Sequence, residues 1–345
     1  MSNVENEYAW KVCVRCFTFN HAPYIEDAMN GFCMQETDFP FVCTIVDDAS
    51  TDGEQEVIKK YLEDHFDLED KSIVRNEETE YYTLTFARHK TNKNCYFAVL
   101  YLKYNHYSKP KIKDRKFHYI SEWHENCKYI ALCEGDDYWI DGKKLQMQVD
   151  FLENNPQISY TCTRYKILVQ STGVISEGAN YYYEKNGNRN EYFEFTKKDA
   201  FTKGWITKTL TSVFRAKYYD SRFLSQFEYA RDVHIVYMLL SSGNGVCFSS
   251  FSGVYRLNSA STFGGKSQIE QIIQNYNVYE EFYRKTRDNV LKYYFVEFYV
   301  QLLNFNVIPN RLPEKKIRYF EAFIYIPIFF VRKLLSKRSS EIRTI

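Results

Sequence analysis

Glu134, Asp136 and Asp137 surround Gly135 at the end of the apolar run Tyr129-Ile130-Ala131-Leu132-Cys133. Three carboxylates this close repel one another and are costly to withdraw from water, so placing them at the tip of a buried strand calls for a compensating cation. Mg2+ and Mn2+ take hard oxygen ligands but keep positions for water and phosphate, which suits a nucleoside diphosphate held against one or two carboxylates. A plainer role accounts for the same residues: an acidic turn capping a helix that starts near Lys143. A second acidic run, Asp47-Asp48-Ala49-Ser50-Thr51-Asp52-Gly53, follows another apolar stretch, Phe41 to Val46.

The elements that must position these residues alternate. Val12 to Phe17 reads as a strand, and Ile25, Ala28, Met29, Phe32 and Cys33 share one face of a following helix. The strand Phe41 to Val46 precedes a helix with Val57, Ile58, Tyr61, Leu62 and Phe66 on one side, its start marked by an Asp52/Gln55 capping-box pattern. This β-α-β-α order predicts an α/β fold with a parallel sheet between helices, in which ligands bind beyond the carboxyl ends of the strands. Both acidic runs fall where strands are predicted to end. From about 76 to 123 the alternation is lost in an insertion rich in Tyr, Lys and His, in which Tyr96 to Tyr104 reads as a packed helix. Its cations, among them Arg88, Lys90 and Lys103, either hold donor phosphates or form a solvated face. Further on, the pattern predicts a helix from Lys143 to Asn154, an extended stretch from Ile206 to Phe214, a helix beginning at Asp232 and a strand from Val246 to Tyr255. Tyr181 to Arg189 reads as a polar loop. Beyond Gly264-Gly265 the pattern turns helical, which sets a domain of residues 8–262 and a helical extension of 263–345.

Composition limits the partners. A net charge of +1 over 345 residues is not the basic excess of a general nucleic-acid binder. The nine cysteines are scattered, several inside apolar runs, which fits a reducing compartment. Cys13 and Cys16 have a metal or redox spacing but lie within a predicted strand and lack a second pair. No Walker loop or G-x-G-x-x-G fingerprint occurs, which disfavours a kinase or dinucleotide enzyme. The amino terminus has no basic start and apolar core of a secretory signal, and no apolar stretch reaches the ~20 residues that span a bilayer, so a cytoplasmic location is expected.

Taken in order, Thr18-Phe19-Asn20, Ile45-Val46-Asp47-Asp48-Ala49-Ser50-Thr51-Asp52-Gly53, Ala131-Leu132-Cys133-Glu134-Gly135-Asp136-Asp137-Tyr138-Trp139 and Arg231-Asp232 resemble the family 2 glycosyltransferases of GT-A fold, in the branch found with bacterial surface polysaccharides. The resemblance spans roughly residues 10–258. It implies a Rossmann-like mixed sheet flanked by helices, a Mn2+ or Mg2+ cofactor, and inverting transfer of a sugar from a nucleoside diphosphate, UDP first, to a hydroxyl of a surface glycan. It also implies roles: Phe19 stacks on the base, Asp48 accepts a hydrogen bond from it while Asp47 fixes the loop, Glu134 and Asp136 hold the nucleotide, and Asp136 and Asp137 hold the metal. Asp232 takes the place of the general base, with Trp205, Thr209, Thr211 and Ser212 on the acceptor side. Two departures stand out, Arg231 before the base and Asn258 where the family often has histidine.

Two other functions fit the same residues: a nucleotidyltransferase, which shares an acidic metal site, and a non-catalytic nucleotide-sugar-binding assembly protein. A carboxylate base distant in sequence from the metal cluster favours sugar transfer, of hexosyltransferase type. Near the carboxyl terminus Phe320, Phe323, Ile324 and Phe329 lie among Lys315, Lys316, Arg318, Arg332 and Lys333. That mixture suits either a segment at an anionic membrane surface, which would bring the enzyme peripherally to a lipid-linked acceptor, or a helix packed on the protein.

Overall fold

The computed structural model describes residues 8–109, 115–180, 183, 190–203, 208–228, 230–258 and 267–305. The polar loop at 181–189, apart from residue 183, the residue Trp205, and the cationic aromatic segment from 315 onward lie outside the described residues. The chain divides into two compact units, the first comprising residues 1–196, 205–222 and 235–257, the second 197–204, 223–234 and 258–345.

The first unit is built on one mixed sheet. Its strands are β1 (Trp10–Thr18), β2 (Phe41–Asp47), β3 (Arg75–Glu78), β4 (Tyr82–Arg88), β5 (Cys95–Leu102), β6 (Cys127–Leu132), β7 (Tyr138–Trp139), β8 (Ile158–Val169), β9 (Val174–Glu177), β10 (Tyr192–Phe195), β11 (Val213–Arg215) and β12 (Asn244–Leu257). They run in the order β10-β12-β8-β11-β6-β1-β2-β5-β4-β3, with β7 added to β12 and β9 to β8. The four central strands β6, β1, β2 and β5 are parallel, whereas β11 is antiparallel to both β6 and β8. Buried on both faces, they read as near-continuous apolar runs: every residue of β2 is buried.

Helices cover the sheet. α1 (Ile25–Cys33) buries Ile25, Ala28, Met29 and Phe32, the face expected from its periodicity. α2 (Glu54–His65) buries Ile58, Tyr61 and Leu62, and α5 (Lys144–Asn154) buries Leu145, Val149 and Leu152. Phe32 meets Phe97 and Trp139 edge-on in the core beneath α1. Two short helices, α3 (Arg115–Tyr119) and α4 (Ser121–His124), lead into β6.

Three local expectations are corrected. Residues 96–102 form a strand of the central sheet, pairing in parallel with β2 from Phe41↔Cys95 to Asp47↔Tyr101, rather than the expected helix. A buried apolar run has no polar face to reveal its period, so strand and helix look alike in it. The Asp52/Gln55 capping box does not form: Gly53, at φ 92°, is the N-cap of α2, and Gln55 reaches Asp47 instead. Of the stretch expected to be extended from Ile206 to Phe214, the described part opens with a 3-10 turn, Thr209–Thr211, and only then enters β11.

The second unit contains the helices Gln268–Thr286 and Lys292–Asn304 together with segments 197–204 and 223–234. The longer one begins with a capping box, Ser267 and Glu270 bonding each other's backbone N–H. Within this unit Glu281 accepts the Glu228 backbone N–H and pairs with Lys285. No described helix is long and apolar enough to cross a membrane.

Candidate active site

β1 is the point where the chain changes direction across the sheet, with β2 on one side and β6 on the other. Parallel sheets leave a crevice at the carboxyl end of such a strand, and ligands bind there. Both acidic runs converge on this end. The Cys133 N–H donates to the Arg15 carbonyl at 3.2 Å and the Gly135 N–H to the Phe17 carbonyl at 3.1 Å, so the loop after β6 is laid along the last residues of β1. On the other side the Asp48 N–H donates to the Thr18 carbonyl at 2.9 Å.

Glycine at 135 is a packing requirement. A Cβ there would sit 2.1 Å from the Thr18 Oγ1, a contact no side chain tolerates. With the Asp137 N–H donating to the Glu134 carbonyl, the loop makes a tight turn that leaves Glu134 and Asp136 half-buried and Asp137 only 5% exposed. Burial, then the neighbouring charges of Asp136 and Glu134, push the Asp137 carboxyl well above the usual carboxylate range.

Arg256, in β12, clamps this turn from below. Its backbone N–H donates to Asp137 Oδ1 at 2.9 Å and its Nε to the Asp136 carbonyl at 2.9 Å. The guanidinium also donates to Gln170 Oε1 and Asp27 Oδ2, both at 2.6 Å, and lies over the rings of Tyr24 and Tyr138. On the other flank, Thr18 Oγ1 donates to the buried Glu54, whose second oxygen accepts the His21 backbone N–H at 2.9 Å and the Ser50 hydroxyl at 2.8 Å. His21 is thereby held with its Nε2 3.8 Å from Asp136 Oδ2. Asn20 completes the turn at φ 55°, its side chain accepting the Thr51 N–H.

Phe19 is 42% exposed beside this turn, so its ring faces solvent at the strand ends. Asp47 is fully buried and accepts from the Ser50 N–H and from Gln55, which fixes the loop as expected. Asp48 does the same for a different loop: its Oδ1 accepts the His106 N–H at 2.6 Å and its Oδ2 the Tyr107 N–H at 3.0 Å.

The acceptor-side expectation is partly overturned. Ser212 is 1% exposed, and its Oγ shares a 2.6 Å hydrogen bond with the Tyr160 hydroxyl in the core, so it has no surface to offer a sugar. Thr211 is also buried and bonds the Thr163 carbonyl. Thr209 is half-buried at the start of the 3-10 turn. Asp232 belongs to the second unit, where it is exposed at the head of the helix Asp232–Leu240.

Sequence reasoning missed His21, Glu54 and Lys208. His21 directly follows Thr18-Phe19-Asn20 and could have been read as part of that run. Lys208 lies over the Tyr255 ring, 4.1 Å from its centre, near enough to Asp137 to favour its ionised form. No local spacing links Glu54 or Lys208 to the acidic turn. Three cations of the 76–123 segment, by contrast, are engaged on the surface: Arg88 with Asp70, Lys103 with Glu78, and Lys90 with the Glu63 and Asp64 carbonyls.

The donor set suits a hard divalent cation. Among the described residues no group of three or more His, Cys, Asp and Glu side chains could hold a metal ion unaided. Asp136 and Asp137 are adjacent, however, and the crowded negative charge that burdens Asp137 is what a cation completed by water and ligand oxygens would relieve. All nine cysteines are free, and Cys13 and Cys16 are buried in β1. A groove of about 570 Å3, lined by Met34, Glu36, Asp38, Asn92 and Gln146 among others, lies toward the amino-terminal ends of β2 and β5, away from the acidic turn.

No protein-family model matches the chain. Uncharacterised proteins of Mycobacterium bovis and Mycobacterium tuberculosis are 28% identical to it over 160 residues, 46% of this chain. The chain spans about a third of the length of these curated relatives, 36%. Among solved structures it is similar to S. aureus TarS 1-349 in complex with UDP-GlcNAc, with a TM-score of 0.54 and 15% identity over 86% of this chain and 73% of that one. The same protein in complex with UDP gives a TM-score of 0.51, with 15% identity over 85% and 72% of the two chains. The fold is therefore GT-A-like, a central mixed sheet flanked by helices.

Proposed function

We propose that the chain is an inverting, metal-dependent glycosyltransferase that moves a sugar from a nucleoside diphosphate, UDP in the first instance, to a hydroxyl of a surface-glycan acceptor. The observation that carries this reading is the acidic turn 134–137, laid along the end of β1 at the sheet's switch point and clamped by Arg256. The likeness of the fold to a protein solved with UDP and UDP-GlcNAc supports it.

Phe19, Asp48, Glu134 and Asp136 form the nucleotide side, and Asp136 and Asp137 would hold Mn2+ or Mg2+. The ion, when bound, neutralises the diphosphate as its charge grows on departure. His21, held close to Asp136, orients that carboxylate and adds a donor toward the phosphates. The buried floor of Gly135, Asp137 and Arg256 keeps the turn rigid, so little reorganisation accompanies reaction. Asp232, exposed at a helix head, takes the proton from the acceptor hydroxyl as that oxygen attacks the anomeric carbon. Trp205 and Thr209 serve the acceptor. The catalytic domain is residues 8–262 and the helical extension 263–345, with the segment from 317 onward at the membrane surface on the cytoplasmic side.

Asp232→Asn tests the chemistry. It should leave UDP-sugar binding within about twofold while lowering turnover about a hundredfold or more, the scale of a general base. Unchanged turnover would remove Asp232 from the mechanism.

A further inference from the structure

We propose that His234 is a positioning residue for Asp232: its Nδ1 holds the backbone N–H of Arg231 while its ring seats on Phe282, and together these contacts fix the helix head that carries the base. This deepens the reading of Asp232 given above and rests on it. Asp232 opens the helix Asp232–Leu240, which makes Arg231 the residue that caps it. The His234 N–H donates to the Arg231 carbonyl at 2.9 Å, and the Arg231 N–H donates to His234 Nδ1 at 3.1 Å. The second bond is the half of a capping box in which the third helical residue reaches back to the cap, with histidine where glutamate or glutamine is usual. Asp232 lies between the two residues so joined, and its backbone is held with theirs.

The ring of His234 is fully buried. It stacks on Phe282 with centres 4.0 Å apart and meets Phe227 at 4.4 Å, and the two phenylalanines pack edge-on at 5.2 Å. Phe282 belongs to the helix Gln268–Thr286, and it lies in the second unit with Phe227 and the segment from Arg231 to His234. Arg231 lies near the same helix: burial raises the Tyr279 pKa, and the Arg231 charge works against that rise. The head of the Asp232 helix is therefore seated on a helix some fifty residues further along the chain, within one unit.

Packing alone does not call for histidine at this place. Burial holds its pKa down to about 4, with Glu281, Arg231 and Lys285 the charged groups that act on it, so the ring is neutral at neutral pH and Nδ1 is free to accept. With Nδ1 accepting, the proton resides on Nε2, and among the described residues no acceptor meets that atom. A buried donor without a partner is destabilising, and phenylalanine would fill the same space without one. What histidine adds over phenylalanine is the acceptor at Nδ1, and that acceptor acts on the residue before the base.

Substitutions that separate the acceptor from the packing test this, with turnover read as UDP released from UDP-glucose and UDP-GlcNAc in the presence of Mn2+. His234→Phe keeps a ring on Phe282 but offers Arg231 no acceptor. It should melt at or above wild type, leave the donor KM unchanged and lower kcat about tenfold or more, the scale of a displaced catalytic group. His234→Gln, the usual capping-box residue, gives up the ring but keeps an acceptor; it should melt lower yet hold kcat within about threefold. A role confined to stability would order the two variants the other way. The double variant Asp232→Asn/His234→Phe should be no slower than Asp232→Asn alone. Wild-type kcat in His234→Phe, a His234→Gln as slow as His234→Phe, or additive losses in the double variant would overturn the assignment and leave Asp232 in place. Wild-type turnover in Asp232→Asn would instead remove the base itself. Hydrogen exchange at the Arg231 amide supplies a readout without turnover: it should quicken about tenfold or more in His234→Phe and not in His234→Gln, and equal exchange in wild type and His234→Phe would overturn the contact. If His234→Phe does not fold, His234→Leu takes its place with the same expected kcat and exchange.

Discussion

At the residue scale the site depends on how buried charge is accommodated. Arg256 is 4% exposed and gives each guanidinium nitrogen an acceptor in three separate segments, at Asp136, Gln170 and Asp27. Arg256→Met keeps the bulk but strands those acceptors, and hydrogen bonds to charged groups are worth about 1.5–3 kcal/mol each before screening. Asp27 is half-exposed, so its share is discounted. We expect Arg256→Met to cost about 2 kcal/mol in a denaturant titration and to weaken UDP binding with it. Unchanged affinity in a folded variant would mean that the turn holds its shape without the clamp. The place of the acidic turn at a strand end and the loop contacts of Asp47 were legible because carboxylates after an apolar run declare themselves in sequence. Those of Glu54, Lys208 and Arg256 were not, since their partners are distant in the chain and only the sheet brings them together. The backbone donors that occupy the Asp48 carboxylate come from residues 106 and 107, a pairing that no local spacing reveals.

At the element scale, strand ends and the helices that cross them set the geometry. Gly135→Ala introduces a methyl 2.1 Å from Thr18 Oγ1 and must push the acidic turn off β1. Overpacking of this sort costs about 1–3 kcal/mol, so a melting temperature several degrees lower and a loss of Mn2+-dependent UDP binding are expected together. A variant that melts lower yet binds normally would separate the packing from the site. α5 carries a different strain, Lys144. It is fully buried over the Trp139 ring with Gln148 as its hydrogen-bond acceptor, and burial lowers its pKa to about 7. Because the unfolded chain holds that proton up to about pH 10.4, stability attributable to Lys144 is least below about pH 7 and rises between the two values. Lys144→Met should therefore raise the melting temperature most at about pH 6, with the gain shrinking toward about pH 10. A gain independent of pH would show that folding does not lower the Lys144 pKa. Amphipathic α1 and α2 were readable from their periodicity, and the buried helix–strand ambiguity of residues 96–102 was not, because a sequence buried on all sides shows no period.

At the scale of the whole molecule, the sheet order explains why motifs more than a hundred residues apart meet. β6 is added to β1 opposite β2, so the loops after β1, β2 and β6 share one edge, as the alternation of strands and helices implied. Net charge near zero leaves association with a membrane to local clusters, and the carboxyl-terminal segment from 317 onward has the composition for it. Removing residues 317–345 should abolish co-sedimentation with vesicles containing anionic lipid while preserving nucleotide binding. Equal co-sedimentation of the shortened and full chains would exclude this segment as the anchor. The central claim is that one nucleoside diphosphate and one divalent cation share the turn at the end of β1. Titrating UDP calorimetrically into the wild-type protein and Asp136→Ala, each with and without Mn2+, tests it most directly. Binding that requires Mn2+ and weakens about thirtyfold or more, roughly 2 kcal/mol, in the variant is the predicted result. Equal affinity in both proteins, or affinity indifferent to the ion, would contradict it.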